Sequence, residues 1–480
     1  MRFVPHAEQD VREMLATVGV TSLDELFQTI PEEVRFDGRL GLPEPAAEAD
    51  VMGELAGLAG RNRSTAELTS FLGGGIYETY VPAVVDAVTS RSEFLTSYTP
   101  YQAERSQGVL QAIFEYQTAI CELTGLDVSN ASMYDGATAL AEAAILAAGR
   151  GHGRDNARGL DHGQGDGDAH AQAHGHAHGP GRRPGGKIVV SGGVHPEYVQ
   201  VLATETHGLG PAPVVLADDG GGLPDTAALR AAVGSETAAV VISQPSFFGG
   251  IEDLGAAAAI AHDAGALLIV IADPLALGIL ASPGEEGADI AVGEGQSLGN
   301  YQSFGGPGFG FFAAREELTR RLPGRIVGET VDAKGRRGFV LTLQTREQHI
   351  RRESATSNIC SNHALSALAG LVYLSWLGKE GLPALGLQLA RTAAYLRERL
   401  LGVPGVEPYT RGPVFREFAV RLPVAAGELV SALARRGYLA GLDLGRFRPE
   451  LDHVLLLAVS ERRTRAEIDA FVEEVRGFLG

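Results

Sequence analysis

Between Lys187 and Ala314 six short apolar runs, "KIVVSGG", "APVVLAD", "TAAVVISQPS", "ALLIVIAD", "DIAVGEG" and "GFGFFAA", alternate with helical stretches such as "DLGAAAAIAHDAG". Runs that are apolar at nearly every position, rather than at every second one, suit strands buried on both faces. The helices between them supply the crossovers that parallel strands require. The spacing therefore predicts a mostly parallel sheet covered by helices on both faces, and it points to the residues just past the strand carboxyl ends, where such sheets bind ligands.

The flanking regions have a different character. Residues 1–70 read as a helical arm, because "DVREMLATVGV" and "SLDELFQTI" carry apolar residues at helical spacing, yet they offer little core of their own. "SQGVLQAIFEYQTAICELTGL" reads as an amphipathic helix stopped by Gly125, and "GATALAEAAILAAG" as a helix apolar enough to require burial. Two helices are expected near residues 363–377 and 383–401. The alternation then resumes through "REFAVRLP", "GELVSALARRG" and "HVLLLAVS", so residues 361–480 read as a small α+β domain after a large α/β domain over 71–360. The stretch 150–186 holds six of the 13 histidines and almost nothing apolar. It reads as an insertion without a core, in preference to a metal-binding tract, and no metal site is expected.

Composition removes several classes of function. A chain of 480 residues with 45% hydrophobic side chains can bury a substantial core, and a formal net charge of -19 disfavours nucleic acid and anionic membranes. The two cysteines, Cys121 and Cys360, cannot form a disulfide framework or a thiolate metal site and read as buried, reduced thiols. Neither an apolar signal core nor a run of about 20 apolar residues is seen, so a cytoplasmic location is expected.

A large α/β domain followed by a small α+β domain is the outline of the aminotransferase-like pyridoxal phosphate enzymes of fold type I. Such a cofactor needs an acid against its pyridine nitrogen, an aromatic face against its ring, a phosphate cradle at a helix start, and a lysine for the covalent link. Asp273 ends "ALLIVIAD" where that acid would stand, although Asp-Pro is also a helix cap followed by proline at the first helical position. His195 is placed to stack on a ring, or is an ordinary loop histidine. Ser129, Asn130 and Ser132 precede a helix and suit either an anion or simple capping. The lysine is missing: the chain's three lysines are Lys187, Lys334 and Lys379, and the turn after Val292 carries Gln296 and Ser297 instead. A glutamine amide is too weakly nucleophilic to replace an amine. "LQTREQHIRRESATSNIC" gathers Arg346, His349, Arg351 and Arg352, which suits an inter-subunit ion network, carboxylate binding, or a solvated face.

Together, "SYTPYQAERSQGVLQAIFEYQTAICELTGLDVSNASMYDGATALAEA", "ADPLALGIL", "GEGQSLGNYQSFGGPGFGFFAAREELTRRLPGRIVGET" and "LTLQTREQHIRRESATSNIC" resemble the glycine dehydrogenase (decarboxylating) family, the P-protein of the glycine cleavage system. The resemblance is to subunit 1, the alpha chain of the two-subunit form, and it spans nearly everything but the insertion. It implies an oxidoreductase subunit in a heterotetramer. A lysine-bearing beta subunit would anchor pyridoxal phosphate, glycine would lose CO2, and the aminomethyl group would pass to the lipoamide of the H-protein. Gly295 and Gln296 fall where the beta half carries a His-Lys pair. The resemblance also implies that this chain holds no cofactor covalently, and that His195, Asp273, Ser132 and Ser297 belong to a degenerate site. The alternative is a non-catalytic scaffold that only stabilises the beta subunit.

Overall fold

All six apolar runs form strands of one sheet. In the computed structural model, which describes residues 5–36, 38, 40–149, 186–223 and 225–480, they are β2 (Lys187–Val190), β3 (Val214–Val215), β4 (Thr237–Gln244), β5 (Leu267–Ala272), β6 (Ile290–Glu294) and β7 (Gly310–Ala314). A seventh, β1 (Val128–Ser129), joins them, and the spatial order is β1-β7-β6-β5-β4-β2-β3. Strands β3, β2, β4, β5 and β6 are mutually parallel; at one edge β7 pairs antiparallel with β6, and β1 pairs antiparallel with β7.

Every residue of β5 is buried. Because side chains alternate between the faces of a strand, Leu268 and Val270 join one core, while Leu267, Ile269 and Ile271 join the other. The first core is completed by helix α3 (Gln107–Thr124), through Tyr116 and Ile120, and by α6 (Leu254–Asp263), through Ala257 and Ile260. The second is completed by α4 (Gly136–Ala147), through Ala139, Leu140, Ala143 and Ala144. Full burial of each such Leu, Ile or Val side chain is worth roughly 1.5–3 kcal/mol. Helix α3 stops where Gly125 adopts a left-handed φ of 68°, a conformation glycine takes without penalty.

The predicted pair of helices near 363–401 is a single run, α7 (Ala364–Leu401), interrupted at Gly378 (φ 62°, ψ −174°). Beyond it a four-stranded antiparallel sheet has the order β8-β9-β11-β10, built from β8 (Glu407–Pro408), β9 (Glu417–Arg421), β10 (Leu442–Asp443) and β11 (Val454–Ala458). The last helix, α8 (Arg465–Leu479), buries Ile468, Phe471, Val472 and Val475, one apolar stripe at helical spacing. Thr464 and Glu467 cap its start reciprocally.

The described chain divides into two units, Met1–Arg63 and Ser64–Gly480. The first contains helices α1 (Glu8–Val18) and α2 (Glu48–Ala59), neither with a buried residue. "SLDELFQTI", expected to be helical, forms only a 3-10 turn over Asp24–Phe27. Gly19 ends α1 with a φ of 86° and Pro31 follows closely, which leaves too short a stretch to offset helix nucleation. Cysteine burial also differs from expectation: Cys121 is partly buried and Cys360 is exposed, since residue 360 lies in an irregular stretch with no apolar face. Among the described residues no helix is long and apolar enough to cross a membrane. The expected insertion, apart from Gly186, lies outside the described residues.

Candidate functional site

The carboxyl ends of β2, β4, β5 and β6 converge on one cavity of ≈ 90 Å³. Its floor is set by His195, Phe247, Asp273 and Glu294, each a few residues or fewer past a strand end. Its other walls come from the glycine-rich stretch at Gly74, Gly75 and Tyr77 and from Phe415, Arg416 and Glu417 at the start of β9.

His195 caps helix α5 (Pro196–Glu205). Its Nδ1 accepts the Glu197 N–H at 3.0 Å, which leaves Nε2–H to donate to the Gly74 carbonyl, also at 3.0 Å. Burial holds its pKa below the ordinary histidine value, so the ring is neutral. The edge of Phe247 faces it at 4.5 Å between centroids.

Asp273 is engaged by an arginine. Arg416 Nε lies 2.6 Å from Asp273 Oδ2, with side-chain exposures of only 3% and 13% respectively. The Arg416 guanidinium lies over the Tyr77 ring, 3.3 Å from its centroid, and Nη2 is 3.5 Å from Ser297 Oγ. Burial alone would lower the pKa of this guanidinium, but Asp273, with Tyr77 and Glu417, raises it overall. The Tyr77 hydroxyl donates to Glu417 Oε2 at 2.5 Å, and Glu417 Oε1 accepts the Gly74 N–H at 2.7 Å. A Cβ on Gly73 would collide with that carboxylate.

Gln296 points away from the cavity. Its Oε1 accepts the Tyr77 N–H at 2.9 Å, while Nε2 donates to the carbonyls of Tyr77 at 3.0 Å and Asn300 at 2.8 Å. Glu294, two residues earlier, accepts three main-chain N–H groups: Gly136 at 3.1 Å on Oε2, and Gln296 at 3.0 Å and Phe309 at 3.2 Å on Oε1. Burial pushes its carboxyl up to about 7 against the lowering effect of those donors.

The structure thus brings His195 and Asp273 into one cavity and sets Ser297 beside Arg416. Ser132 does not line it; its hydroxyl accepts from Asn362 Nδ2 at 3.0 Å. Asn130 donates to the Pro323 carbonyl at 3.1 Å, Ser129 to the Asn130 carbonyl at 3.1 Å, and the cap of α4 is Asp135, which accepts the Thr138 N–H at 2.7 Å. Tyr77, Glu294, Arg416 and Glu417 were not singled out in the sequence. The available signal was charge in an apolar context: Arg416 and Glu417 interrupt "VFREFAV", and Glu294 directly ends an apolar strand.

The arginine block divides by depth. Arg346 is half-buried and donates to the Leu322 carbonyl, with desolvation lowering its pKa, whereas Arg351 and Arg352 are exposed. His349 packs edge-on against Tyr101, 5.7 Å between centroids. Arg325, also missed in the sequence, is buried beneath this block, where it reaches Tyr101 and Ser361 and lies 3.7 Å from Glu347.

The cavity does not fit a pyridoxal phosphate cofactor. The acid that would meet the pyridine nitrogen already holds a guanidinium, the N–H at the start of α4 already holds a carboxyl, and the residue at the lysine position is tied to the main chain. The lysines lie elsewhere: Lys187 Nζ donates to the Ala232 carbonyl at 2.7 Å, Lys334 is exposed in a hairpin turn, and Lys379 follows the break in α7. Among the described residues no group of three His, Cys, Asp or Glu side chains is arranged to hold a metal ion.

Comparison with known proteins gives a consistent answer. The profile of the glycine cleavage system P-protein family matches residues 1–162 and 155–475. The chain is 50% identical over 481 residues to the probable glycine dehydrogenase (decarboxylating) subunit 1 of Moorella thermoacetica, with all of both chains covered. Its fold matches a crystal structure of glycine decarboxylase (P-protein) of the glycine cleavage system in inhibitor-bound form, at a TM-score of 0.83 and 45% identity, covering 99% of this chain and 100% of the other. A cysteine desulfurase from Escherichia coli, 16% identical with a TM-score of 0.58 over 87% of this chain and 96% of its own, shares the fold alone. With agreement over its full length in both sequence and fold, the chain belongs to the glycine cleavage system P-protein family, as a chain of the subunit 1 type.

Proposed function

We propose that this chain is the alpha subunit of a two-subunit glycine decarboxylase and works with a lysine-bearing beta subunit in a cytoplasmic heterotetramer. The complex takes glycine, releases CO2, and transfers the aminomethyl group to the lipoamide of the H-protein. Pyridoxal phosphate supplies the carbanion-stabilising chemistry from the beta subunit, and this chain anchors none covalently. The observation that carries the reading is Gln296: a buried amide bound to Tyr77 and Asn300 stands where an anchoring amine would be needed.

An obligate partner is also favoured by the surface. In Met1–Arg63 alone, Phe27, Ile30, Val34, Phe36, Leu40, Leu42, and the α2 side chains Met52 and Leu55 are exposed, and such concentration of apolar surface favours association. The same reading gives the arginine block two tasks. Arg351 and Arg352, with His349, reach toward the partner or toward a carboxylate, while the half-buried Arg346 and the buried Arg325 hold that segment in place.

Reconstitution tests this directly. The purified chain, the beta subunit and lipoylated H-protein together should decarboxylate glycine and exchange its carboxyl carbon with bicarbonate, and omission of this chain should abolish both activities. Full activity from the beta subunit and H-protein alone would overturn the assignment. With assembly intact by sedimentation, Arg351→Ala/Arg352→Ala should reduce kcat/KM by at least about tenfold, the loss of roughly 1.4 kcal/mol of transition-state binding.

A further inference from the structure

We infer that this chain fills its cofactor-like cavity with charges of its own, so that the cavity is closed to pyridoxal phosphate for reasons beyond the missing lysine. Three substitutions of role make the case. Arg416 presents a planar cation to Asp273 at 2.6 Å, where a protonated pyridine nitrogen would stand, and it is stacked on an aromatic face as such a ring would be, 3.3 Å from the Tyr77 centroid. Glu294 occupies the Gly136 N–H at the start of α4, the kind of donor that would otherwise cradle a phosphate. Gln296 replaces the anchoring amine and uses its amide to bind Tyr77, the residue on which Arg416 lies.

The three are mechanically linked: Glu294 accepts the Gln296 N–H at 3.0 Å, and Gln296 and Arg416 meet on Tyr77. Tyr77 is held at its main chain by Gln296, at its ring by Arg416, and at its hydroxyl by Glu417. The cation cannot leave Asp273 without uncovering this clamp, and a buried carboxylate would lose its partner as it did. What remains is ≈ 90 Å³, less than the roughly 150 Å³ of an engineered apolar cavity that accepts benzene. A substituted pyridine with its phosphate needs more room. The inference concerns this cavity alone and is independent of how the partner subunit is assigned.

The test uses the purified full-length chain. Native protein and Gln296→Lys are each incubated with pyridoxal phosphate, reduced with borohydride and mapped by mass; neither should carry a pyridoxyl group on residue 296. In parallel, Arg416→Ala is titrated with methylguanidinium, which should raise its melting temperature saturably. Asp273→Asn/Arg416→Ala should show no such rise. Should Arg416→Ala fail to fold while the double variant folds, the same conclusion holds, because only the orphaned carboxylate separates them. Pyridoxyl mass on residue 296 of Gln296→Lys, saturable binding of pyridoxal phosphate to the native chain, or equal behaviour of the single and double variants would overturn the inference.

Discussion

A primary amide carries a donor and an acceptor on one planar unit, as a peptide group does, and Gln296 uses both on a single residue, Tyr77. Gln296→Leu would leave the buried N–H of Tyr77 without a partner, while the Tyr77 carbonyl keeps the Thr79 N–H at 3.0 Å. An orphaned buried donor costs about 1–3 kcal/mol, so denaturant unfolding should show a loss on that order. Glu294 provides a second residue-scale prediction. Its ordinary value is 4.5 and burial raises it to about 7, with Asp135 pushing the same way and the Gly136, Gln296 and Phe309 amides opposing. The folded chain therefore binds this proton more tightly than the unfolded chain. Its contribution to stability is fully present below pH 4.5 and declines as pH rises to about 7. Glu294→Gln removes the titration, so the variant should gain on the native chain by roughly 3 kcal/mol between pH 4.5 and 7.5 in parallel urea melts. At this scale the sequence reveals identity more readily than partnership. His195 and Asp273 were legible because each follows a strand, but nothing local indicates that Asp273 will meet Arg416, 143 residues later.

Among the elements, periodicity carried most of the information. Strands β2 to β7 were legible because each is a continuous apolar run, whereas β1 was not, since its two residues, Val128 and Ser129, owe their pairing to β7. The broken helix α7 was anticipated as two, and Gly378 shows why the chain has a join there. Its φ of 62° and ψ of −174° are costly for any residue with a Cβ, although open space surrounds the position. Gly378→Ala should therefore lower stability by about 1–3 kcal/mol through backbone strain alone, seen as a reduced urea midpoint with an unchanged m value. The arm lacked a comparable signal. The apolar spacing of "SLDELFQTI" is genuine, but periodicity reports a face and not whether the segment is long enough to propagate.

For the molecule as a whole, the mostly parallel sheet with helices on both faces followed from the order of patterns along the chain, while the assembled site did not. Its walls come from within residues 74–77, 195–198, 243–249, 271–274, 294 and 415–417, and only the fold brings those stretches together. The low-apolar stretch between α4 and β2 is predicted to be dispensable: replacing residues 152–184 with a short Gly/Ser linker should leave the melting temperature and reconstituted activity unchanged. Deletion of one element of the central sheet would not be tolerated in this way. The internal pairing of Arg416 with Asp273 has a consequence for supply. A protein stabilised by a dissociable ligand loses stability as the free ligand falls, but a guanidinium on the same chain is never dilute. Asp273 therefore keeps its cation whatever the supply of small molecules around it, and the chain folds with the occupant of its cavity already in place.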